Sequence, residues 1–81
     1  MRIDDAAVEV MREQGELRVW RGHPDLLHDI YDRAARRGSH PINVAASVLS
    51  CLAKSPKFRR VGYITHMGHK FPVFEQGVDH E

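Results

Sequence analysis

Eight basic residues, Arg33, Arg36, Arg37, Lys54, Lys57, Arg59, Arg60 and Lys70, lie in a 42-residue stretch, 33–74, that contains no Asp or Glu. All eleven acids fall outside it. The formal net charge of +1 therefore conceals a dipole: −1 over residues 1–40 (seven bases against eight acids), +5 over 41–70 and −3 over the last eleven. Phosphate responds to local rather than net charge, so a one-sided positive surface is what binding a polyanion requires. The competing reading is a solvated surface, its bases paired with acids from the first half of the fold.

Other chemistries find less support. The six histidines are His23, His28, His40, His66, His69 and His80, and only His66 and His69 lie close together. Structural zinc wants four ligands in paired spacing, a pattern missing here, so no metal and no other cofactor is expected. There is no phosphate-binding loop, no dinucleotide fingerprint and no Gly-x-Ser-x-Gly elbow, which argues against an enzyme. The lone Cys51, between Leu49 and Leu52, reads as a small buried hydrophobe. One cysteine excludes an intrachain disulfide and fits a reducing compartment, so the expected location is cytoplasmic.

At 81 residues the chain suits one domain with a small core, and 42% hydrophobic against 28% charged residues is too apolar for disorder. No apolar run approaches the ~18 residues of a membrane span, and the opening MRIDDAAVEV is acidic rather than signal-like, so no membrane association is expected.

The bases must be positioned by the following elements. Residues 3–14 form an amphipathic helix with Ile3, Ala7, Val10 and Met11 on one face, Asp4 and Asp5 at its cap, and Gly15 as its stop. Leu17 to Trp20 reads as a short strand. Pro24 opens a second helix, roughly 24–37, with Leu26, Leu27, Ile30, Tyr31, Ala34 and Ala35 inward, ending at Gly38. Pro41 opens a third, 41–54, burying Ile42, Val44, Ala45, Val48, Leu49 and Leu52 and exposing Asn43, Ser47, Ser50 and Lys54. Ser55-Pro56 stops it. Phe58–Thr65 and Lys70–Glu75 read as two strands joined at His66-Met67-Gly68-His69, with Phe58 in the core. Pro72, which lacks a donor, argues for an edge strand. Residues 1–76 make the domain, and 77–81 an acidic tail.

This order is helix, short strand, helix, helix, hairpin, an α+β arrangement that is mainly α. With the passage Asn43-Val44-Ala45-Ala46-Ser47-Val48-Leu49-Ser50-Cys51-Leu52-Ala53-Lys54 leading into Phe58-Arg59-Arg60-Val61-Gly62, residues 3–75 resemble a winged helix-turn-helix DNA-binding domain. The resemblance implies that the third helix enters the major groove of double-stranded DNA while the hairpin, the wing, touches the flanking backbone. Asn43, Ser47 and Ser50 would then meet base edges. Asn43 leads because its carboxamide can pair bidentately with adenine, the alternative being a local cap. The helix has no arginine for guanine. The eight bases would hold phosphates, although cations at 33–37 also offset the second helix's dipole. Alternation sets Arg59 and Arg60 on opposite faces unless the strand bulges, so one of them is structural. His66 and His69 would sit at the wing tip, and Trp20 would lie partly buried against Phe71 or Phe74. The expected role is a small transcriptional regulator or a phage- or plasmid-borne accessory factor, working as a dimer or on adjacent sites. The alternative is a protein-interaction winged helix, an adaptor or small inhibitor encoded by a mobile element. The two part on whether the bases stand free beside Asn43 or pair with Asp4, Glu9 and Glu13.

Overall fold

The computed structural model describes residues 1–34 and 43–77. It comprises α1 (Ile3–Gln14), β1 (Arg18–Val19), α2 (Pro24–Ala34), α3 (Val44–Lys54), β2 (Phe58–His66) and β3 (His69–Gln76). The described chain is an α+β fold of three helices and one antiparallel sheet, ordered β1-β3-β2. The expected end of the second helix at Gly38, the start of the third at Pro41, Ile42, and residues 78–81 of the tail lie outside the described residues. Gly77 is tied down, its N–H donating to the Lys57 carbonyl at 2.7 Å.

Each helix turns its apolar stripe to the core, although Ile3, Tyr31, Ala34, Ala45 and Leu49, expected inward, are only partly buried. Ala6, Ala7, Val10 and Met11 of α1 meet Leu26, Leu27 and Ile30 of α2 and Val44, Val48 and Leu52 of α3, and Val19, Phe58 and Phe74 close the core from the sheet. At the end of α1, Gly15 N–H donates to the Arg12 carbonyl and Glu16 N–H to that of Met11, the paired bonds of a Schellman stop. The start of α1 differs from expectation. Arg2 occupies the cap position without a side-chain capping bond, and Asp4 is buried. Its carboxylate accepts from the Ser55 hydroxyl at 2.8 Å and from Asp5 N–H at 2.9 Å. The acid expected to cap α1 instead fastens it to the turn after α3.

Register assigns the strand side chains to two faces. Phe58 opposes Gln76, Arg60 opposes Phe74, and Val19 opposes Phe74 on the other side, so these share the helix-facing side. Arg18 and Arg59 both oppose Glu75 on the outer side. Between Arg60 and Gly62 the register slips by one residue, a bulge at Val61. Pro72 lies in β3, the central strand, which corrects the edge assignment. The missing donor is tolerated because β1 is only two residues long and pairs with Phe74 and Glu75, so among the described strands β2 alone lies beside Pro72.

The hairpin turns at Met67-Gly68, with φ of 51° and 79°. Positive φ at both central residues is the signature of a type I′ turn, favoured between right-twisted strands and most easily filled by Asn-Gly. Met67 is 84% exposed and packs against little. Met67→Asn is accordingly expected to raise stability by about 0.5 kcal/mol through backbone preference alone. Urea denaturation would show it as a higher midpoint at unchanged slope.

Candidate nucleic-acid interface

Asn43 stands at the start of α3 because its short amide can replace a missing helical acceptor. It is the N-cap, and its Oδ1 accepts from Ala46 N–H at 2.9 Å. The local-cap alternative is thus realised, and bidentate adenine readout would compete with the cap for the same amide oxygen. Along α3, Val44, Val48 and Leu52 point inward while Asn43, Ser50 and Lys54 are exposed and Ser47 is half-buried. Cys51 is exposed, contrary to expectation. One residue before Leu52, it is turned by about 100° from the buried line.

The predicted phosphate contacts separate into two groups. Arg33 donates from both terminal guanidinium nitrogens to Glu13, one bond at 2.8 Å, and also reaches Glu9 at 3.4 Å. Lys57 pairs with Asp5. Arg59 reaches Glu75 at 3.4 Å, across which Arg18 lies at 3.3 Å. The carboxylates respond: Arg33 holds Glu13 below its ordinary pKa, and Arg18, then Arg59, do the same for Glu75. Hydrogen bonding to Asp5 pushes the Lys57 ammonium up. These three bases are paired with acids within the fold.

Lys54, Arg60 and Lys70 have no acid partner among the described residues. Arg60 lies 5.1 Å from the centre of the Tyr63 ring, in a cation–π contact. Of the adjacent arginines, Arg59 has an acid partner and Arg60 has none among the described residues. Register puts Arg60, Tyr63 and Lys70 on the helix-facing side of the sheet, and α3, ending in Lys54, packs against β2. Arg36 and Arg37 lie outside the described residues. His66 and His69 oppose each other as the last pair before the turn, on the outer side. They are not on the face that carries Lys70.

No family model, curated protein or solved structure matches this chain.

Among the described residues, no group of His, Cys, Asp and Glu side chains is placed to hold a metal ion, and no helix is long and apolar enough to cross a membrane. The structure also groups residues that the sequence reading left apart. The ring of Trp20 lies 6.1 Å from that of Phe71, 6.3 Å from His66 and 6.1 Å from His23. The expected contact with Phe71 is present; its two histidine neighbours were not anticipated. Alternation carried the signal: with Val19 inward, Trp20 must return to the side that bears Phe71. Arg21, in the same turn, was passed over because it lies outside the acid-free stretch.

Proposed function

We propose that this chain is a non-enzymatic DNA-binding module of winged-helix type, docking α3 in the major groove with the helix-facing side of the β2–β3 hairpin on the flanking phosphates. The observation that carries the reading is the location of the uncommitted bases. Of the six predicted phosphate ligands that are described, those without an acid partner are Lys54, Arg60 and Lys70, at the end of α3 and on the hairpin side facing it. The element order, with a short β1 laid on β3, supports the winged-helix assignment. Asn43, Ser47 and Ser50 lie along the helix available to the groove.

A mixed-sequence duplex titrated by fluorescence anisotropy at rising salt tests this. Each phosphate neutralised contributes about −0.9 to the log–log slope. The combined Lys54→Ala, Arg60→Ala, Lys70→Ala variant is expected to lose about 2.7 of that slope, whereas Arg33→Ala and Arg59→Ala leave it unchanged. Asn43→Ser keeps the cap and removes the amide, so it separates base readout from helix stability. Equal loss from all five cations would sink the proposed division.

A specific observation favours the protein-interaction reading. Arg33, Lys57 and Arg59 are paired with acids, and the exposed side of α3 is lined by small residues, Ala46, Ser50, Cys51 and Ala53. That surface suits close packing against a partner, a second copy included. Absence of duplex binding at low salt would select it.

A further inference from the structure

The outer side of the sheet carries a concave surface, away from the helix-facing side. A cleft of about 450 Å³ is lined by Trp20, Arg21, Gly22, Pro24, His66 and Phe71. The chain's one tryptophan forms its wall. A Cβ built at Gly22 would fall 2.2 Å from the indole, so the ring packs directly over a backbone that only glycine leaves open. The neighbouring rings of Phe71, His23 and His66 are inclined to the indole by 49°, 67° and 74°, and none stacks parallel on it. Trp20 is half-buried, and its exposed part borders the cleft; aromatic rings stack best in offset parallel or edge-on geometry.

Charge narrows the class of that partner. Among the described residues no acid lines the cleft, Arg21 is exposed and without an acid partner, and His66 adds an imidazole. An amine-bearing guest would find no counter-charge. A planar ring that carries an anion finds both a stacking surface and a guanidinium.

We propose that this cleft binds an unpaired nucleotide of a single nucleic-acid strand, its base stacked on Trp20 beside Phe71 and His66 and its phosphate on Arg21. A base inside a duplex cannot present its face in this way, so the site would select unpaired strand. It does not depend on duplex docking by α3, which uses the other side of the sheet.

Trp20 provides its own reporter. A short oligothymidylate added at low salt is expected to quench Trp20 emission saturably. Arg21→Ala should weaken the apparent Kd and reduce the salt slope by about 0.7, the contribution of one phosphate on a single strand. Trp20→Leu, followed by anisotropy of a labelled strand, should weaken binding about tenfold or more, with thermal unfolding confirming that the fold persists. The proposal fails if quenching does not saturate, if Arg21→Ala leaves it unchanged, or if a blunt duplex quenches as strongly as the strand. A phosphotyrosine peptide that binds while the strand does not would also overturn it. Duplex anisotropy run in parallel reports on α3 alone, so loss of either mode is read separately.

Discussion

Asp4→Ala is expected to lower the unfolding free energy by about 2–3 kcal/mol. The carboxylate is 5% exposed and accepts three bonds, from Ser55 Oγ, Asp5 N–H and Arg2 Nε. Alanine leaves the buried Ser55 hydroxyl with a proton and no acceptor, and a stranded buried donor costs more than a bond contributes when made. Asp4→Asn keeps one acceptor oxygen and should cost about half as much. The same site makes stability depend on pH. The bond from Ser55, aided by Arg2 and Asp5, holds the Asp4 carboxyl below its ordinary 3.8 despite the opposing effect of burial. A lowered folded pKa means that the unfolded chain binds the proton more readily. The stabilisation is therefore complete above pH 3.8 and is lost as pH falls through the lower folded value. Urea unfolding at neutral pH and near pH 3 should show the wild type losing more than Asp4→Ala. Parallel losses would mean that other carboxylates, Glu13 and Glu75 among them, carry the acid sensitivity.

Leu52→Ala should be more damaging still, at about 2–5 kcal/mol. Leu52 is fully buried in the last turn of α3, where the helix packs against β2. A domain of this size has roughly 4–12 kcal/mol in total, so one truncation removes a large part of it. The thermal midpoint should fall by about 10 °C or more. Ser50→Ala, exposed on the same helix, should stay within about 0.5 kcal/mol. The contrast tests the proposed DNA-binding role: under it, Leu52→Ala would weaken duplex binding in proportion to the unfolded fraction, with the salt slope of the folded molecules intact. Loss of Lys54 would change the slope and leave the midpoint in place.

Local chemistry was readable from the residues; long-range pairing was not. The Gly15 stop, the inward line of Val44, Val48 and Leu52, and the turn at Met67-Gly68 each follow from a rule acting over a few residues. Alternation showed that Arg59 and Arg60 must part company. It could not say which one meets an acid, because Glu75 is brought opposite Arg59 only by β3 pairing. The acid-free run hid one ion pair for the same reason: Arg33 has no acid after it until Glu75, yet Glu13 of α1 lies against it once α1 and α2 pack. Asp4 carried an ordinary helix-start signal that gave no hint of Ser55, 51 residues away. Cys51 was misplaced by reading its apolar neighbours rather than its angle on the helix.

Lys57 joins the two ends of the described chain: its ammonium holds Asp5, its N–H donates to Ser55 Oγ beside Asp4, and its carbonyl accepts from Gly77. The contacts to Asp5 and Asp4 close loops of 52 and 51 residues. Loop-closure entropy grows only logarithmically with length, and most of it is spent on whichever contact forms first. The second contact then forms almost intramolecularly, at high effective concentration. The start of α1 and the end of β3 should therefore release together, in one opening event, instead of fraying independently. Their amides would share a single hydrogen-exchange free energy even though the sequence places them at opposite ends.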